Sequence, residues 1–206
     1  VPSTGRIYVF FFLDTNTEGK LWAEHRRLDP KRRNYPLHFT GHLFFVYSDD
    51  DGASWSPRRK IELPVHDLDE IPGRSHGWVN HSPVVMPGGV VAFTYSASRR
   101  LYRPHHFFRL NVAESYVVQS PNLLTEQDPE AIEFDVYPSG PRGIRIDIFE
   151  HRDNAALNRL LQYYDGAPED SGWNFEELTL TTLSDGRWLG VGRSKLGSPA
   201  YTVSDD

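Results

Sequence analysis

The sequence has no cysteine, which excludes disulfides and thiolate-held metal sites. It also lacks any apolar run long enough to span a bilayer as a helix, so no membrane insertion is expected. Positive charge is not in excess. Lys and Arg number 22 against 28 Asp and Glu, and the net charge of −6 argues against a general nucleic-acid binder. There is no Gly-rich phosphate loop, no Gly-x-Ser-x-Gly elbow and no His-Glu-x-x-His pair. The nine histidines include the neighbours His105 and His106, but none of their spacings makes a zinc site. No cofactor or metal is therefore expected. No signal peptide is visible, and since the chain starts at Val1 rather than Met, an upstream segment is expected to be missing.

What is present is a chain of 206 residues, 38% hydrophobic and 13% aromatic, enough for one domain with a sizeable core and too apolar for a disordered segment. The stretch around which it is organised is Ser48-Asp49-Asp50-Asp51-Gly52-Ala53-Ser54-Trp55. It lies between two strand-like runs, Leu43 to Tyr47 and Lys60 to Leu63, and reads as a tight hairpin turn. Asp side chains accept bonds from turn amides, Gly takes positive φ, and Ser54 bonds locally. Trp55 is expected to bury its ring under the hairpin.

Similar cycles follow. Arg6 to Asp14 is dense in β-branched and aromatic residues and predicts a buried strand. Thr15 to Phe39, with Pro30 and Pro36, reads as a long loop, and Pro64 to Val79 as irregular. A second cycle runs from Ser82. Pro83 to Met86, the turn Pro87-Gly88-Gly89 and Val90 to Tyr95 predict a hairpin, His106 to Ser120 one or two strands, and Ala131 to Val136 a closing strand. Ser120-Pro121-Asn122-Leu123-Leu124 stands where a degenerate copy of the first turn would fall. Asp153 to Tyr164 is the one helical candidate, capped by Asp153 with Leu157, Leu160, Leu161 and Tyr164 on a face. In a third cycle Glu177 to Leu183, the turn Ser184-Asp185-Gly186 and Arg187 to Arg193 form a hairpin, and Tyr201 to Val203 leads to Ser204 and Asp206, the opening of a further turn of the first kind.

Ser48, Asp50, Gly52 and Trp55, with Ser54 in place of the usual Thr, resemble the Asp-box of the sialidase (neuraminidase) superfamily, whose repeats carry this structural turn. The resemblance implies an all-β β-propeller, expected to be six-bladed in the full protein. About three blades are expected here, near residues 5–64, 79–138 and 174–206, since Ser48 and Ser204 lie about three blade lengths apart at roughly 40–50 residues each. On that reading the chain is an internal piece of a longer protein, with open sheet edges.

The resemblance also implies site residues. Glu177, followed by an apolar strand, an Asp-Gly turn, a second strand and Arg193, matches the sialidase pattern in which a Glu activates a nucleophilic Tyr and an Arg holds the substrate carboxylate. Sialidases are the Tyr exception among glycosidases; Tyr needs a base to take its proton, and guanidinium suits a carboxylate. Glu176 is the alternative to Glu177. The structural reading of the same residues is a pair of hairpin surface charges joined to each other. Where sialidases carry an acid/base Asp before the box, this chain has His42, which suits proton transfer in another carbohydrate-active propeller. Trp78, Asn80 and His81 stand where a sugar hydroxyl or ring is met. Arg26, Arg27, Arg32 and Arg33 are more simply solvated loop charges than sugar contacts. The first-strand Arg motif, the third arginine and the nucleophilic Tyr are expected to lie outside this chain. The implied partner is a glycan, and the implied function is that of an exo-α-sialidase-type glycoside hydrolase. A polysaccharide lyase or rhamnosidase using His42, and a non-catalytic glycan- or protein-binding propeller, are the alternatives. Family habit points to an exported or periplasmic protein.

Overall fold

The structure, a computed structural model, describes residues 5–14, 40–69, 75–101, 110–146, 174–194 and 198–204. The long loop with its four arginines, His105 and His106, the candidate helix and Asp206 lie outside the described residues. Within them the protein is all-β. Eleven strands form two sheets: β1 (Ile7–Asp14), β2 (Thr40–Ser48), β3 (Arg59–Ile61), β4 (Ser75–Val79), β5 (Val84–Val85), β6 (Val91–Leu101), β7 (Leu110–Ser120) and β8 (Asp135–Tyr137) in the larger, and β9 (Phe175–Thr182), β10 (Trp188–Ser194) and β11 (Ala200–Val203) in the smaller. All strand pairs within the sheets are antiparallel. No described helix is long and apolar enough to cross a membrane. β4 falls within the Pro64–Val79 stretch, so that stretch is not irregular throughout.

Three long hairpins repeat one register. Ile7 opposes Ser48 across β1–β2, and Val91 opposes Ser120 across β6–β7. Beyond β10–β11, the Ser204 amide donates to the Trp188 carbonyl at 3.0 Å, while the Trp188 amide donates to Ser204 Oγ at 2.9 Å. Each hairpin therefore ends in a Ser opposite the first residue of its partner strand. The units point the same way. Phe10 meets Phe93 at 4.5 Å between ring centres and Phe12 meets Tyr95 at 5.7 Å, so β1 and β6 run together. Ala113 and Asn174 bridge in parallel, so β7 and β9 run together as well. The Ser turns thus lie at one end of the stack, and the ends where Asp14, Leu101 and Ser194 leave their hairpins lie at the other.

The first turn is closed by its own side chains. Ser48 Oγ donates to Asp50 Oδ1 at 2.7 Å and accepts from the Gly52 amide at 2.8 Å. Asp50 accepts from the Ser54 amide and hydroxyl at 2.8 and 2.6 Å. Asp51 (φ 57°) and Gly52 (φ 89°) occupy the left-handed region that this reversal requires. These bonds hold the Asp50 carboxyl at about 2, below its ordinary 3.8. Arg6 ties the turn to β1 by two bonds to Asp49, at 2.7 and 3.1 Å, and lies 4.3 Å over the Tyr47 ring. The expectation for Trp55 is corrected: its side chain is exposed, and it closes over Gly52 rather than under the hairpin. The turn is compact enough to be completed by polar bonds alone.

The second turn is built in the same way with a carboxamide. Ser120 Oγ donates to Asn122 Oδ1 at 3.3 Å and accepts from the Leu123 amide at 3.1 Å, and Asn122 Oδ1 also accepts from the Glu133 amide at 3.0 Å.

Two cores hold the stack. Between the first and second units, Leu43, Phe45, Phe93, Tyr95, Tyr116 and Val118 are buried, with Tyr8, Phe10 and Phe12 packed on them. Between the second and third units, Met86, Ala92, Val117, Phe175, Leu178 and Leu180 are buried. β6 serves both, because alternate side chains of a strand face opposite ways. Phe93, Tyr95 and Ala97 belong to the first core, while Thr94, Ser96 and Ser98 are buried on the other face.

Candidate functional site

The arrangement richest in chemistry is a β-bulge in the third unit. Arg193 pairs with Glu176, but two steps back along β10, Val191 pairs with Thr179, so β9 holds one residue more than β10 across this stretch. The extra residue lets Glu177 take φ 59°, a left-handed conformation that normally favours Gly. Gly192 lies opposite. A Cβ there would come within 2.8 Å of the Phe175 ring and 3.1 Å of the Glu176 carbonyl, so the close approach of the two strands requires the glycine.

The bulge brings three charges together. Arg193 Nη2 lies 2.9 Å from Glu176 Oε1 and 3.3 Å from Glu177 Oε1. Glu176 is buried and also accepts from Asn174 Nδ2 at 3.2 Å, whereas Glu177 and Arg193 are roughly half exposed. Asn174 Oδ1 is buried without a partner among the described residues. Glu177, Val191, Gly192, Arg193, Ser194, Ser198 and Pro199 line a cleft of about 410 Å³. It opens at the end of the stack away from the Ser turns. The Ser194 hydroxyl reaches the Ser198 carbonyl at 2.9 Å and ties the two sides of the cleft.

The second unit reaches into this bulge. The Glu177 amide donates to Ser96 Oγ at 3.1 Å, and Ser115 Oγ donates to the Phe175 carbonyl at 2.9 Å. Thr94 Oγ1 donates to the Leu178 carbonyl. Asn80 completes the group. Its amide nitrogen donates to Thr94 Oγ1 at 3.0 Å, and its carboxamide oxygen accepts from Ser96 Oγ at 3.2 Å. Asn80 is therefore bonded into the interior, one side chain away from the Glu177 backbone.

The remaining candidates stand apart from the cleft lining. His42 lies on β2 opposite Leu13, and its ring meets Phe44 edge-on at 6.3 Å. Trp78 opposes Ser96 on β4 and is half-buried. His81 is half-buried, with Nδ1 2.6 Å from the Ser82 carbonyl and Nε2 buried without a partner among the described residues. Glu177 and Arg193 are joined, together with Asn80 through Ser96; His42, His81 and Trp78 are not lining residues of the same cleft.

A second polar cluster carried no clear signal in the sequence. On the first-unit face of β6 and β7, the Tyr95 and Tyr116 rings stack at 5.0 Å. His66 Nε2 lies 2.7 Å from the Tyr95 hydroxyl, and His66 Nδ1 lies 3.3 Å from Asp69. The Tyr116 hydroxyl donates to Glu114 Oε2 at 3.1 Å, and the Gly143 amide to the same oxygen at 2.7 Å. Burial first, then the charges of Glu114 and Asp69, drives both phenols well above their ordinary value, so both stay protonated. Closed to solvent, this cluster fastens the 66–69 and 141–145 segments to the core. Among the described residues no group of three His, Cys, Asp or Glu is placed to hold a metal ion.

No protein-family model matches the chain, and no curated protein matches it significantly.

Proposed function

We propose that the chain is part of a sialidase-like β-propeller and that its cleft acts on a terminal acidic sugar as a glycoside hydrolase. The observation that carries this reading is the pairing of Glu177 with Arg193 in an open cleft at the end of the stack opposite the Asp-box turns. The repeated Ser register and the common direction of the three units support the propeller. In the proposed chemistry, the exposed Glu177 carboxylate takes a proton from a nucleophile or water brought to the cleft, and Arg193 donates to the sugar carboxylate. Release of 4-methylumbelliferone from its α-sialoside, measured on the longest natural form of the protein, tests it. Glu177→Gln and Arg193→Ala are each expected to lower kcat/KM by about 10²-fold or more while both variants stay folded by circular dichroism. Undiminished activity in both variants would overturn the assignment.

One observation favours a second reading. Arg193 Nη2 serves both Glu176 and Glu177, and the three groups together carry net negative charge. A cleft so balanced suits a hydroxyl-rich neutral sugar, bound or cleaved, as well as it suits a carboxylate. Binding of neutral oligosaccharides with no hydrolysis of the sialoside would select that alternative.

A further inference from the structure

The Glu177–Arg193 pair is assembled across a boundary between units. In a regular strand Glu176 and Glu177 would point to opposite faces. The bulge and the left-handed Glu177 instead let both carboxylates reach one guanidinium nitrogen. A non-glycine residue in this conformation persists only where its surroundings hold it. Here those surroundings come from the second unit. Ser115 Oγ grips the carbonyl before the bulge (Phe175), Ser96 Oγ grips the amide within it (Glu177), and Thr94 Oγ1 grips the carbonyl after it (Leu178). The Ser96 and Ser115 hydroxyls lie 3.3 Å apart, both side chains are fully buried, and Ser96 is oriented by its bond to Asn80. A hydroxyl so fixed satisfies a backbone group that the interrupted ladder leaves over.

We propose that Ser96, seconded by Ser115, is the positioning residue of the Glu176–Glu177–Arg193 cluster. The inference rests on the reading that this cluster is the working site, but its test needs no substrate. Thermal unfolding of Glu176→Gln, Arg193→Met and the double variant gives the coupling between the two groups, in the native background and in that of Ser96→Ala. With Ser96 present, the double variant is expected to lose less than the two single losses combined, by about 2 °C or more. In the S96A background the shortfall is expected to vanish, and Ser96→Thr, which keeps the hydroxyl, to restore it. A hydroxyl that merely supports the fold would lower every Tm alike and leave the coupling unchanged, and that result would overturn the proposal. If S96A does not fold, Ser115→Ala, which releases the Phe175 carbonyl and the contact with Ser96 Oγ, is read by the same cycle. Sialoside cleavage is scored separately, so a lost coupling with no hydrolysis refutes the substrate and keeps the positioning role, whereas hydrolysis with an unchanged coupling does the reverse.

Discussion

The two boundaries of the stack are made by the same strand and are made differently. The first-unit face of β6 meets its neighbour through rings: Phe93 on Phe10, and Tyr95 on Phe12. Its third-unit face meets β9 through Ala92 in the second core and through the hydroxyls of Thr94 and Ser96, which bond the Leu178 carbonyl and the Glu177 amide. Rings supply buried apolar area and tolerate small shifts, because dispersion and burial are not directional. Hydroxyls supply little area but fix an atom to within a few tenths of an ångström. Both boundaries bury an apolar core, and the second in addition holds the Glu177 backbone in place. Charges that need a defined geometry stand on the second.

The widest test of this division uses neighbours in sequence. Phe93→Ala is expected to destabilise by about 3–5 kcal/mol in denaturant titration, through lost burial and the cavity left behind. Thr94→Val, nearly isosteric on the opposite face, strands the Leu178 carbonyl and the Asn80 amide and is expected to cost about 1–3 kcal/mol. Its amide shift changes should gather at residues 175–178 and leave the aromatic boundary unmoved; shifts spread equally over both boundaries would break the comparison. A smaller effect, of opposite sign, is expected at the bulge. Glu177→Gly removes the left-handed strain and should stabilise by up to about 1 kcal/mol while abolishing the proposed sialoside cleavage. Destabilisation there would mean that the conformation carries no strain.

The smallest effect separates the two Ser turns. Asp50 is ionisable, whereas Asn122, in the equivalent place, is not. The folded carboxyl lies at about 2, below the ordinary 3.8, so the bonds it makes stabilise fully above the ordinary value and are lost as pH falls through about 2. The Ser54 amide, which donates to Asp50, should titrate with a midpoint near 2, and the Glu133 amide, which donates to Asn122, should show no inflection there. A Glu133 inflection near 2, or a Ser54 inflection near 3.8, would contradict the assignment.

Much of this architecture is legible in the sequence. The hairpins β2–β3, β5–β6 and β9–β10 follow from alternating residues and turn chemistry, and the pattern Phe93-Thr94-Tyr95-Ser96-Ala97-Ser98 already separates an aromatic face from a hydroxyl face. β4 was obscured because Gly77 interrupts its pattern; a Cβ there would strike the Phe12 ring, a contact made by a distant strand. The bulge was hidden for a related reason. Nothing in Phe175-Glu176-Glu177-Leu178 announces a left-handed residue, since the hydroxyls that hold it lie in another unit. The resemblance offers Glu176 only as the alternative to Glu177, whereas the fold brings both to Arg193. Trp55 misled because an aromatic at a turn suggests burial, whereas this turn is closed by carboxylate and hydroxyl bonds.

The hydroxyl grip across the second boundary bears on how such a protein can be taken apart and rebuilt. Chains of repeated units evolve, and are engineered, by copying, deleting or transplanting whole units. A transplanted third unit would bring Glu176, Glu177 and Arg193 but would leave behind Ser96, Ser115 and Thr94, and its bulge would be free to relax into ordinary strand. The smallest portable piece that carries the site is the second and third units together, so inheritance of the site requires the boundary to move intact.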